Sequence, residues 1–112
     1  MFAMQPAIKA IAEPRRREIL RLVWSRELPA GEIASHFKVS RPAISQHLRV
    51  LKEAGLVRER RHGTRRLYRA RPETMTELRR FLEAFWDQSL EQLKAEAEAE
   101  EQQKRLRRQR RR

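Results

Sequence analysis

Val39-Ser40-Arg41-Pro42-Ala43-Ile44-Ser45-Gln46-His47-Leu48-Arg49-Val50-Leu51-Lys52-Glu53-Ala54-Gly55-Leu56-Val57 reads as one helix with both ends marked. Ser40 is a good N-cap, because its hydroxyl can accept a hydrogen bond from a free N–H of the first turn. Pro42 sits in that first turn, where a missing N–H costs little. Gly55 is a natural stop just past the end. Residues placed at ~100° intervals put Ile44, Leu48 and Leu51 on one narrow apolar stripe. Pro42, Ser45, Gln46, Arg49 and Glu53 fall opposite. A solvated face more often alternates Glu and Lys. Short polar side chains such as Ser and Gln can read base edges in a major groove, and Arg49 can read guanine or hold phosphate. The stretch therefore reads as a DNA recognition helix.

Working outward, Val57–Arg61 and Thr64–Arg69 alternate as two short strands around His62-Gly63, a tight turn in which Gly63 supplies positive φ. This hairpin carries Arg58, Arg60, Arg61, Arg65, Arg66 and Arg69. Such a charge density repels itself unless a polyanion is near, which reads as a wing touching phosphate or the minor groove. Upstream, Ile33, Ala34 and Phe37 point inward from a short helix at about 30–37. Lys38-Val39 turns from it into the Ser40 cap, the plan of a helix-turn-helix. Leu28–Gly31 reads as a loop. A helix over roughly 14–25 opens at Pro14 and buries Ile19, Leu22 and Val23, with Leu20 and Trp24 widening the stripe. Arg15, Arg16 and Arg17 crowd its first turn, where the helix dipole disfavours cations, so they face either phosphate or solvent. Residues 1–12 form a first helix with Met4, Ile8 and Ile11 on one stripe, too short to stand alone.

Pro72 opens a long helix, to about residue 100. Its apolar residues Met75, Leu78, Phe81, Leu82, Phe85, Trp86, Leu90 and Leu93 cover a broad arc. That arc exceeds what one small domain needs for its own core, so a second copy is expected to cover it together with the first helix; the alternative is a helix folded back over its own domain. Residues 1–93 thus read as the DNA-binding and dimerisation domain. Residues 94–112 read as a charged extension ending in a basic tail from Lys104, expected to fray.

The totals agree with a polyanion partner. The 112-residue chain holds 27 Lys and Arg against 15 Asp and Glu, a formal net charge of +12, which favours nucleic acid. It has no cysteine, so disulfides and thiolate metal sites are excluded. No apolar run reaches the ~18 residues of a membrane span. The start lacks the pattern of a signal peptide, which points to a cytoplasmic protein. Among the histidines, His36 reads as solvated, His62 lies in the wing turn, and His47 flanks the recognition stripe, where it is expected to pack partly and donate to phosphate or backbone. No two share helical ligand spacing, so neither metal nor cofactor is expected. A nucleophile, a phosphate-binding glycine loop and an apolar-framed carboxylate pair are all missing, which argues against an enzyme.

Three segments carry a resemblance: Pro14-Arg15-Arg16-Arg17-Glu18-Ile19-Leu20, the recognition stretch from Val39 to Val57, and Gly63-Thr64-Arg65-Arg66-Leu67-Tyr68. Together they resemble the ArsR/SmtB family of bacterial winged-helix repressors, over about residues 5–93. The Ser-Xaa-His-Leu-Xaa-Val-Leu core in register with the wing is the specific part. The resemblance implies a mainly α fold with a small β-hairpin wing, a winged helix-turn-helix. It also implies a homodimer through the first and last helices, a palindromic operator, and repression of transcription, often of the repressor's own operon. The family's metal sensors carry a cysteine pair before the recognition helix, where this chain has Glu32-Ile33-Ala34-Ser35-His36-Phe37. Other members use Asp and His on the last helix, where this chain has Asp87 and no His. The chain therefore resembles a non-metal branch whose small-molecule effector, if it has one, is undefined. Phe85-Trp86 reads as interface core before it reads as a ligand cage. Glu13 stands where the family often has Asp, which predicts a looser start to the helix at Pro14.

The expected DNA contacts are Ser40, Arg41, Pro42, Ser45, Gln46, His47 and Arg49 of the recognition helix, and Arg60, Arg61, Arg65 and Arg66 of the wing. The expected dimer contacts are Met4, Ile8, Ile11, Leu78, Leu82, Phe85, Trp86, Leu90 and Leu93. The competing expectation is a winged helix that docks an acidic protein. RNA is disfavoured, because few exposed aromatics could stack unpaired bases.

Overall fold

The element order follows from where the chain can cap its helices. The computed structural model describes residues 4–111, so the first three residues of the expected first helix and the last residue of the tail lie outside it. Helix α1 is Met4–Ala12, α2 Pro14–Leu22, α3 Ala30–Ser35, α4 Arg41–Glu53 and α5 Pro72–Arg110. Strands β1 (Leu28–Pro29), β2 (Val57–His62) and β3 (Arg65–Ala70) form an antiparallel sheet in the order β1-β3-β2. The chain divides after Leu78 into two units, whereas the expected boundary followed Leu93.

The first unit builds its core where the stripes predicted it. Ile19, Val23, Ile33, Ile44, Leu48, Leu51 and Leu56 are buried together. On α1 the fully buried residues are Ala7 and Ala10, while Met4, Ile8 and Ile11 are partly buried against the core. Small alanines let α1 approach its neighbours closely, and the larger side chains stay at the rim. Trp24 is not part of the stripe, being 55% exposed beyond the end of α2.

Three local features depart from the sequence reading. Leu28–Pro29 is a strand, pairing Leu28 with Tyr68 and Pro29 with Leu67. Pro29 lacks an N–H, and an edge position of the sheet is where that is tolerated. Glu13 is a working N-cap, since its carboxylate accepts from the Arg16 N–H at 3.1 Å. Arg16 is half-buried and Arg17 exposed, and both guanidiniums are turned back onto the end of α1. Arg16 Nε donates to the Ala10 carbonyl at 2.7 Å, and Arg17 Nη1 donates to the carbonyls of Ile11 and Ala12 at 2.8 and 3.1 Å. The two guanidiniums thus satisfy carbonyls that the last turn of α1 leaves without partners. Arg15 lies over the Phe37 ring, 5.2 Å from its centroid.

The second unit is the rest of α5. The helix continues through Lys104 to Arg110, a correction to the frayed tail expected there. Cations in its last turns sit at the negative end of the helix dipole, and the spacing Glu100–Lys104 and Glu101–Arg105 suits i,i+4 pairing. None of the described residues of this unit is buried, and Phe81, Leu82, Phe85, Trp86, Leu90 and Leu93 are 40–62% exposed. Leu78 is also corrected. It is buried in the first unit's own core and is not free to meet a second chain.

Candidate nucleic-acid interface

Helix α4 is fixed at both ends before any partner arrives. The Ser40 hydroxyl accepts from the Ala43 N–H at 3.3 Å. At the other end Gly55 adopts φ 77°. Its N–H donates to the Lys52 carbonyl and the Leu56 N–H donates to the Leu51 carbonyl, both at 2.9 Å. That paired closure is the Schellman arrangement, which needs a residue at ease with positive φ. Ile44, Leu48 and Leu51 are buried, while Ser40, Arg41, Pro42, Ser45, Gln46 and Arg49 are exposed. The inward stripe therefore leaves the Ser45–Gln46–Arg49 side facing out of the protein.

The wing register sorts its arginines onto two faces. Pairing of Glu59 with Tyr68 and Arg61 with Arg66 places these four on one face. Arg58 with Arg69, Arg60 with Leu67 and His62 with Arg65 share the other. The two-residue turn is closed by Gly63 at φ 64°. Between α4 and the wing runs an open groove of about 610 Å³, with Arg41, Ser45, Arg49, Lys52, Arg65 and Arg66 along it. Its floor includes Gly31, where an added Cβ would come within 2.9 Å of the Arg41 guanidinium. That glycine lets Arg41 lie close to the start of α3.

Two carboxylates grip the wing, one on each face. Glu27 accepts from Arg60 Nη2 at 2.6 Å and from Arg60 Nε at 3.1 Å. The hydrogen bond from Arg60 is the main cause holding the Glu27 carboxyl below its ordinary range. Arg60 is thus occupied by its own chain, a correction to its place among free phosphate ligands. On the groove face Glu59 takes the Tyr68 hydroxyl at 2.8 Å, Arg66 Nη1 at 3.4 Å and Lys52 Nζ at 3.6 Å. Burial pushes the Glu59 carboxyl up, but the Tyr68 hydrogen bond and the charges of Lys52 and Arg66 outweigh it, leaving its pKa lowered. Burial and the Glu59 contact push Tyr68 up to about 12.

His47 packs partly, as its place beside the apolar stripe predicts, but its near neighbours are side chains at the start of α2. Its Nδ1 is 3.4 Å from Arg16 Nη1 and 3.9 Å from Glu13 Oε2, so the ring is turned toward α2. It is half-buried packing, not part of the exposed face. Arg61 and Arg65 are exposed, and among the described residues neither has an ion pair within 4 Å. Sequence reasoning missed Glu27 and Glu59. The i,i+2 alternation around Glu59 was the available signal, but the partners become visible only once the hairpin register is known.

Comparison with known proteins bears on this surface. Residues 13–59 match the model described as bacterial regulatory protein, arsR family. The chain is 45% identical over 84 residues to the HTH-type transcriptional regulator Rv2034 of Mycobacterium tuberculosis, covering 75% of this chain and 78% of the relative. It is 45% identical over 60 residues to the transcriptional repressor SdpR of Bacillus subtilis, covering 54% and 67%. Among solved structures it resembles the homodimeric winged helix-turn-helix DNA-binding domain Mb0332 from Mycobacterium bovis. That match has a TM-score of 0.61 and 34% identity, covering 73% of this chain and 76% of the other. The matched segment runs from the N-cap of α2 into β2, the first strand of the wing, and contains the whole of α4.

Proposed function

Since the chain belongs to the ArsR family of bacterial regulatory proteins, we propose that it is a homodimeric repressor that binds a palindromic operator, its own promoter included. The exposed Ser45–Gln46–Arg49 side of a doubly capped α4, flanked by a cation-lined groove, carries this reading. A helix of that kind fits the major groove, with its first turns toward base edges. Gln46 suits adenine and Arg49 suits guanine or phosphate. Arg61 and Arg65 on the wing would take phosphates, and the basic end of α5 would add affinity that falls with salt.

The homodimer is supported by the Mycobacterium bovis relative, whose domain is described as homodimeric. The exposed Leu82, Phe85, Trp86, Leu90 and Leu93 of α5 and the half-exposed Met4, Ile8 and Ile11 of α1 are the faces proposed to meet the second copy. Repression is supported by SdpR, named a transcriptional repressor. A cytoplasmic location belongs to the same reading. Among the described residues no helix is long and apolar enough to cross a membrane.

A footprint on DNA upstream of the gene, with light scattering on the free protein, tests the proposal. Protection of an inverted repeat by a species of twice the chain mass is the expected result. A chain-mass species that protects no symmetric site would overturn it.

A further inference from the structure

Glu59 is the one carboxylate among the residues lining the groove between α4 and the wing, and it faces a surface otherwise suited to an anion. It is not a stray charge. Its side chain is 17% exposed, and it holds three groups from two other elements: Lys52 from the last turn of α4, and Arg66 and Tyr68 from β3. Arg41 and Arg65 line the same groove, and among the described residues neither is ion-paired. Arg49 also lines it and pairs with Glu53 at 3.5 Å, both side chains well exposed. The groove's cations therefore fall into a free set, Arg41 and Arg65, and a set paired with carboxylates, of which Lys52 and Arg66 share Glu59.

We propose that Glu59 is a specificity-determining residue: its carboxylate occupies Lys52 and Arg66 as an internal counter-anion and withholds them from phosphate on unselected DNA. This inference rests on the DNA-binding reading above and adds a division of labour to it. Sequence-independent binding is driven almost entirely by phosphate contacts. Each cation tied to Glu59 is one fewer for that purpose, and the carboxylate itself repels a phosphate passing at random. On the operator, base contacts from Ser45 and Gln46 hold α4 at full depth. Phosphates then stand close enough to Lys52 and Arg66 to compete with Glu59. The Tyr68 hydroxyl keeps the carboxylate in place while its cations are shared.

The test compares the full-length protein with Glu59→Gln and Lys52→Gln on a selected operator duplex and on a random duplex across a salt series. Glu59→Gln keeps an acceptor for Tyr68 and loses only the charge. It should bind the random duplex several-fold more tightly, with a salt slope steeper by about 1.8, two released cations at ~0.9 each. Its operator-to-random ratio should fall. Misfolding would weaken both duplexes, so tighter random binding cannot come from structural damage. Lys52→Gln replaces an exposed residue at no cost to the core. It should leave the random-duplex slope unchanged and weaken operator binding. An unchanged random-duplex slope in Glu59→Gln, or a drop of about 0.9 in Lys52→Gln on random DNA, overturns the inference. A wild type without preference for any duplex refutes instead the underlying reading.

Discussion

Replacing Tyr68 with Phe probes the joint between the wing and α4. The Tyr68 hydroxyl donates to Glu59 Oε2 at 2.8 Å from a residue that is 8% exposed. A hydrogen bond to a charged acceptor contributes ~1.5–3 kcal/mol. The loss also leaves Glu59 with fewer partners, so Tyr68→Phe should lower unfolding free energy by about 2 kcal/mol at neutral pH. The pH dependence gives a second, sharper signature. Burial, then the Glu59 contact, raises Tyr68 from 10.0 to about 12. A raised folded pKa means that stability is fully present below the unfolded value and is lost as pH rises through the folded one. At ~1.4 kcal/mol per unit, wild type should lose roughly 2–3 kcal/mol across that window that the variant does not lose. Urea unfolding of both proteins at a series of pH values measures the gap, which should be widest near neutrality and close in strong alkali. The chain has one tyrosine, so tyrosinate absorbance reports its titration directly. A cost below about 0.5 kcal/mol, or a folded-state tyrosine that titrates at its ordinary value, would refute the reasoning.

Other perturbations separate the roles assigned to individual side chains. Gln46→Ala should flatten sequence preference by ~1–3 kcal/mol at the base it reads, with salt dependence nearly unchanged in binding titrations. Arg65→Ala should weaken all duplexes alike and reduce the salt slope by about 1. Arg16→Ala removes the 2.7 Å hydrogen bond to the Ala10 carbonyl and should destabilise the fold by ~1–3 kcal/mol in denaturant titrations, because it uncaps the end of α1. Trp86→Glu places a charge on the apolar side of α5, where Trp86 is 62% exposed; sedimentation should show dissociation to single chains with helicity retained.

What could be read from the sequence was local. Helix α4 announces itself because its Ser40 cap, Pro42, Gly55 stop and three-residue stripe all lie within a short stretch. Gly63 marks the wing turn for the same reason. What escaped depended on partners distant in sequence. β1 is a two-residue strand containing a proline, and only its pairing with β3 reveals it. Arg16 and Arg17 looked misplaced at a helix N-terminus, because their true partners are carbonyls of the preceding helix. Arg60 looked free until Glu27, 33 residues earlier, was seen to hold it. The basic end of α5 looks like a disordered charge run, because its composition hides the favourable Glu-before-cation spacing. The outward side of α4 was legible as a surface. Its division into free and restrained cations was not.

The central claim is that the Ser45–Gln46–Arg49 side of α4 reads duplex DNA. Selection of bound sites from a pool of random duplexes by the full-length protein tests it most directly. The account predicts an enriched inverted repeat with half-sites about one helical turn, ~34 Å, apart. It also predicts that Gln46→Ala loses discrimination at one base pair in each half. Recovery of no common sequence, or of one repeat unchanged by Gln46→Ala, would contradict it.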